Sequence, residues 1–370
     1  MQEKLNEILA KFNKSGNLLD IKTFTSGHIN STYYLKMEIK GKIKEFVLQR
    51  INHNVFKKPD EVMENIATVT NHIKQKIWAS GGHTSRRVLK FYPSNNGKYF
   101  CQDENGDYWR IYKYITNSKT FNSTDSLKVL TETGKAFGEF QLLLDDFPIQ
   151  NLNITIPHFH NTKNRYKNFY NTLEQNPVGR AENVQDLISQ YLKLEKLATK
   201  MYGMQQKGEL GLRVTHNDTK CNNVLFDTDT NSKLCVIDLD TVMPGLVGFD
   251  FGDAIRFGAN SCKEDERDIS KVHIDLDKFQ AFTKGFLSEV ASSLTENEKK
   301  SLSLGAITMT VECGLRFLTD YLDGDNYFKI SYPEHNLDRA KCQLALAKDM
   351  IKNYNKMQEI VQQYCKEYNC

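Results

Sequence analysis

The sequence predicts an α+β protein in two lobes, a small β-rich N-lobe and a large, mainly helical C-lobe. Three observations predict it. Residues 1–113 hold several short runs of β-branched and aromatic residues around one long amphipathic segment. Beyond residue 126, helical periodicity continues to the C-terminus. One hairpin pattern, at residues 224–237, interrupts it.

The elements follow in order. MQEKLNEILAKF reads as an amphipathic helix and lacks the apolar core of a signal peptide. Residues 21–25 and 30–40 read as strands around Ser26-Gly27-His28, and residues 45–51 as a third. A helix starts at Pro59, whose ring suits a first helical position, with Val62, Ile66, Val69, Ile73 and Ile77 as its stripe. Strands are expected at 87–91 with 98–102, and at 109–115. Three strands, a helix and two strands is the order of a kinase small lobe. The boundary falls near residues 113–117, giving an N-lobe of 1–113, a C-lobe of 114–370 and a nucleotide cleft between them. In the C-lobe, helices are expected over 127–144 and 184–204 and from 277 onward. Residues 151–177 read as a polar, irregular connection.

The hairpin carries the chemistry. His216-Asn217-Asp218-Thr219-Lys220-Cys221-Asn222-Asn223 runs into an apolar strand, and Leu234-Cys235-Val236-Ile237 ends in Asp238. His-x-Asp-x-x-x-x-Asn followed by a strand-terminal Asp is the phosphoryl-transfer template. An antiparallel pair sets the start of its first strand beside the end of its second, so Asn223 and Asp238 meet. An amide and a carboxylate, with triphosphate oxygens and water, suffice for Mg²⁺. Asp218, in the loop before, is the expected base, and His216 a structural hydrogen-bonder. Asp240 shares the Asp238 face in an extended chain, for a second metal or for orienting the loop. The literal Asp250-Phe251-Gly252 follows a loop rather than a strand. Asp250 is expected to support the catalytic loop from below.

Composition bounds the rest. The 370 residues are 39% hydrophobic and 26% charged with net charge +3, too balanced to argue for nucleic acid. No apolar run approaches a membrane span. Eight scattered cysteines show no Cys-x-x-Cys spacing, which fits reduced thiols in a cytoplasmic protein. Ser26, Gly27 and His28 form the phosphate-loop candidate by their place between two strands. Arg50 stands where a strand-three lysine would pair the phosphates, with Glu61 favoured over Glu64 as its helix partner. A slip of one residue would exchange Arg50 with Gln49. Tyr112 and Tyr114 flank the point where adenine would meet the backbone between lobes. Glu312, Arg316 and Asp320 recur every four residues, either as a solvated salt ladder or as a polar wall of the acceptor pocket.

With these residues in view, the chain resembles the aminoglycoside phosphotransferase and choline kinase superfamily over nearly its whole length. Residues 216–226, 237–245 and 248–257, with Gly27-His28-Ile29-Asn30, are similar to N-acetylhexosamine 1-kinases. That resemblance implies a protein-kinase-like fold and phosphorylation of the anomeric hydroxyl of N-acetylglucosamine or N-acetylgalactosamine with ATP and Mg²⁺. It also implies His28, Phe257, Arg316 and Tyr327 beside Asp218 at the sugar. Two alternatives stand beside it: a kinase for an amine such as choline or an aminoglycoside, and an inactive kinase-like binding module. The full set Asp218, Asn223 and Asp238 disfavours the module. An arginine in the pocket disfavours a cation, which calls for an acidic or aromatic cage.

Overall fold

The computed structural model describes residues 2–24, 29–123 and 125–368. Its first part consists of α1 (Gln2–Lys11), β1 (Asn17–Phe24), β2 (Ser31–Ile39), β3 (Lys42–Ile51), α2 (Pro59–Ala79), β4 (Cys101–Gln102) and β5 (Tyr108–Lys113). The five strands form one antiparallel sheet in the order β1-β2-β3-β5-β4. Lys40 and Gly41, between β2 and β3, have φ of 52° and 70°. Two successive positive φ values give the tight turn whose twist matches its strands, and glycine adopts one without a Cβ clash.

Each face of the sheet is covered differently. Leu5, Ile8 and Leu9 of α1, with Phe12 just after it, pack on Leu35, Met37, Phe46 and Leu48. On the opposite side α2 buries Val62, Ile66, Val69, Ile73 and Ile77, the stripe expected of it, and Pro59 opens the helix. Residues 87–91 and 98–100 depart from expectation. Phe91 makes an isolated bridge to Tyr112, and only Cys101–Gln102 joins the sheet. Pro93 has no N–H for a ladder. The Ser94 hydroxyl, 2.8 Å from the carbonyls of both Lys98 and Phe100, replaces cross-strand pairing with a local loop.

The larger part holds β6 (Ser118–Lys119), α3 (Leu127–Leu143), α4 (Thr162–Gln175), α5 (Gln185–Ala198), α6 (Lys200–Gln206), β7 (Arg213–Thr215), β8 (Val224–Asp227), β9 (Lys233–Val236), β10 (Met243–Gly245), α7 (Val247–Gly258), α8 (Leu276–Val290), α9 (Glu296–Leu322), α10 (His335–Lys352) and α11 (Tyr354–Tyr368). Helix α9 starts in a reciprocal capping box between Thr295 and Glu298 and is buried on nearly every side. Helices α4, α7 and α10 surround it.

Two expectations are corrected here. The supposed irregular stretch 151–177 contains α4. Asn161 caps it by accepting the Asn164 N–H at 2.9 Å, and Tyr166 and Phe169 anchor it in the core. A helix this polar shows too short an apolar stripe to be read from periodicity. Residues 184–204 form two helices, since α5 ends before Thr199, whose hydroxyl bonds back to the Glu195 carbonyl at 2.8 Å. No helix among the described residues is long and apolar enough to cross a membrane.

Candidate active site

Between the sheet and the helical part lies a cavity of about 350 Å³. Val47, Gln49, Arg110 and Tyr112 face it from β3 and β5, and Asp218, Asn223, Asp238 and Asp240 from the opposite wall. The β8–β9 hairpin joins that wall as its sequence implies. Val224 pairs with Val236, and the Ile237 N–H donates to the Asn223 carbonyl at 2.9 Å. Asp238 does not close the second strand. β9 stops at Val236, and Asp238 takes a left-handed turn (φ 59°, ψ 56°), which aspartate tolerates better than most residues.

The loop before the hairpin is bonded on every side. Asp218 accepts from Lys220 Nζ at 2.8 Å and from Asn223 Nδ2 at 3.0 Å. Burial works to raise its pKa, but the Lys220 ammonium, His216 and the Asn223 hydrogen bond together hold Asp218 below the usual carboxylate range. His216 is buried between Phe137 and Phe140. Its Nε2 lies 2.9 Å from the Ile237 carbonyl and its Nδ1 3.3 Å from the Asp218 N–H. One neutral tautomer, with the proton on Nε2, satisfies both contacts. His216 therefore spaces residue 218 from residue 237, the structural part expected of it. From below, Asp250 accepts the backbone N–H groups of His216 and Asn217 at 2.9 and 2.8 Å and the Gln141 amide at 2.7 Å.

Asp238 is open to the cleft. Its confined surroundings and the nearby carboxylates of Asp240 and Asp218 raise its pKa. A carboxylate crowded by two others at the mouth of a cavity has the electrostatics of a cation site. The Asn223 amide nitrogen is spent on Asp218, which leaves its oxygen for a metal. Asp238 and Asn223 thus fit Mg²⁺. No three His, Cys, Asp or Glu side chains gather as a metal cage among the described residues.

Several expected residues stand elsewhere. Asp240 is buried, with both carboxylate oxygens taken by Arg110 and one also by Asn30. That engagement leaves it as an anchor rather than a metal ligand. Arg50 points away from the cavity and pairs with Asp107 at 3.2 Å, while Gln49 faces in. Strand alternation decides this, because Arg50 lies opposite Trp109 and Gln49 opposite Arg110. Glu61 pairs with Lys58 at 2.7 Å on the surface of α2, so neither member of the expected ion pair enters the cleft. Ser26, Gly27 and His28 lie outside the described residues. Tyr112 and Tyr114 line the cavity.

Phe257 is half-buried near the end of α7 and is not among the residues lining the cavity. Arg316 sits 5.7 Å from the ring centre of Tyr327, itself exposed, and 5.3 Å from that of Phe328. A line of charged side chains leads toward them from Asp218. Lys220 feels Asp253 and Arg256. Arg256 pairs with Asp253 and Glu264. Cys313 lies within the fields of Arg256 and Arg316. Arg165 faces the same group: burial first, then repulsion from Arg316, lowers its pKa. Glu312 is committed elsewhere, to His160 Nδ1 at 2.9 Å and to the Thr162 hydroxyl.

Sequence reasoning missed Lys220, Arg165 and Arg110. Lys220 stood in the quoted motif, two residues past Asp218. Arg110 was detectable as a charge two residues before Tyr112 on the same strand face.

The phosphotransferase enzyme family matches residues 20–270 of this chain. Among solved structures, a microcompartment-associated aminopropanol kinase superposes with a TM-score of 0.59 at 13% identity, covering 97% of this chain and 99% of its own. Choline kinase from Cryptosporidium parvum gives 0.54 at 15%, covering 94% and 93%. A spectinomycin phosphotransferase solved with ADP and spectinomycin gives 0.52 at 15%, covering 98% of each chain. At these identities the likeness is one of fold, and it bears out the two-lobed, kinase-like architecture.

Proposed function

This chain belongs to the phosphotransferase enzyme family, and from that premise we propose that it is an ATP- and Mg²⁺-dependent kinase acting on the anomeric hydroxyl of an N-acetylhexosamine. The observation that carries the choice of acceptor is the charge beyond Asp218. Arg256 and Lys220 are balanced by carboxylates. Arg165 and Arg316 have no carboxylate within ion-pair distance among the described residues and repel each other, with Glu312, itself bonded to His160 and Thr162, as the carboxylate whose field reaches Arg165. An acceptor bound beside these arginines would meet positive charge, which disfavours choline, amino alcohols or aminoglycosides. The same charge suits sugar hydroxyls and an amide carbonyl, which accept arginine N–H groups.

Asp218 orients the sugar hydroxyl for in-line attack and takes its proton late. A carboxylate held ionised by Lys220 is a weak base, which suits a loose transition state needing position more than proton abstraction. Asn223 and Asp238 would hold Mg²⁺, which would supply positive charge to the phosphates. Tyr112 and Tyr114 flank the adenine position. The free thiols of the described cysteines fit a cytoplasmic setting.

The test is to incubate the protein with ATP, Mg²⁺ and a panel of free sugars, choline, amino alcohols and aminoglycosides, and to locate the new phosphate by phosphorus NMR. Sugar 1-phosphate from N-acetylglucosamine or N-acetylgalactosamine is expected. Phosphate appearing only on an amine-bearing acceptor would overturn the sugar reading. Asp218→Asn should keep nucleotide binding and lose roughly 10³-fold or more in kcat.

A further inference from the structure

The cation in the cleft comes from an unexpected strand. In protein kinases a strand-three lysine pairs with a helix glutamate, both within the small lobe. Here a cleft-facing residue of β3 is the neutral Gln49, and Glu61 and Glu64 near the start of α2 accept from Lys58 and Asn153 on the surface. The buried guanidinium belongs to Arg110 on β5. It makes two parallel bonds to the Asp240 carboxylate, and its Nε donates to Gln49 Oε1 at 2.9 Å. Gln49 in turn donates to the Thr32 hydroxyl at 2.9 Å. Asn30, ahead of β2, donates to the same Asp240 and accepts the Asn52 N–H. From α2, Asn65 donates to the Val242 carbonyl at 3.0 Å. β5, α2 and the turn before β2 therefore all grip one short segment, residues 238–242, which begins with Asp238 in its left-handed turn.

We infer that Arg110 is a positioning residue whose ion pair with Asp240 latches the sheet onto the helical part and fixes Asp238 for the nucleotide. The inference about nucleotide rests on the kinase reading above; the latch itself does not. An ion pair that crosses the cleft makes lobe closure and its own formation a single event. Breaking it lowers the population of the binding-competent state and weakens nucleotide by that fraction.

The test uses the full chain as Arg110→Gln together with Asp240→Asn. This double variant removes both charges, so no buried ion is left unpaired, but glutamine is too short to span the gap. A melting temperature near that of the unchanged protein is expected, with faster amide exchange across residues 108–113 and 238–242 without nucleotide, and MgADP affinity by calorimetry about tenfold weaker. A folded double variant with unchanged exchange and unchanged affinity overturns the latch. Should it fail to fold, Arg110→Lys keeps the charge and loses the two-point grip. Its MgADP affinity should fall several-fold, and unchanged affinity there also overturns the inference. If the unchanged protein binds no MgADP, the kinase reading fails, while exchange in the nucleotide-free variants still tests the latch.

Discussion

Asp250 Oδ2 accepts the backbone N–H of His216 at 2.9 Å across 34 residues of chain. The contact explains why a sequence resembling a metal-binding Asp-Phe-Gly is not one. Asp250 lies in α7 beneath the loop, fully buried, and its oxygens point at amide hydrogens rather than into the cleft.

Asp250→Asn therefore tests the support of the loop. One of its oxygens becomes an NH₂ group facing backbone donors and the Gln141 amide, leaving a buried donor unsatisfied. A loss of ~1–3 kcal/mol in unfolding free energy is expected, with a fall in kcat larger than any change in nucleotide affinity. Denaturant melts and steady-state kinetics on one preparation measure both.

Arg316→Ala should raise the sugar KM by roughly tenfold or more, the loss of one charge-assisted hydrogen bond, and leave the KM for ATP alone. Kinetics varying each substrate in turn separates the two. An unchanged sugar KM would place the acceptor pocket away from Arg316 and Tyr327.

Helices α3 and α8 approach so closely that a Cβ on Gly285 would fall 1.9 Å from the Thr131 carbonyl oxygen. Backbone cannot yield there as a flexible side chain would. Gly285→Ala should cost about 3 kcal/mol or more by overpacking while leaving kcat of the folded fraction intact. Thermal unfolding beside active-site titration checks this.

Asp103 ties α1 to the sheet. Although burial pushes the other way, bonds from Lys4 Nζ at 2.7 Å, the Trp109 indole at 2.8 Å and the Asn105 and Asp107 N–H groups lower its pKa to about 2. A folded-state value below the unfolded one gives stability that is present above pH ~4 and lost as pH falls toward 2. That amounts to ~2 kcal/mol. Asp103→Asn should be less stable at pH 7 and show a flatter decline between about pH 5 and 2, read from melting temperature against pH.

The sequence by itself determined most of the elements and which residues stand on one wall of the cleft. The period of α2, the two-strand pattern at 224–236 and the ordered Asp218, Asn223 and Asp238 are local, and local pattern is what a linear chain displays. Helix α4 escaped because two buried aromatics in a polar segment make no period. Tertiary structure alone decided which side chains share the cleft. Arg50 and Gln49 differ by one position, and only pairing with β5 fixed which one faces inward. Asp240 followed Asp238 by two residues and looked equivalent to it, until Arg110, 130 residues away, took both of its oxygens. A charge chooses its partner by distance in space, and that distance exists only once the sheet and the helices have packed.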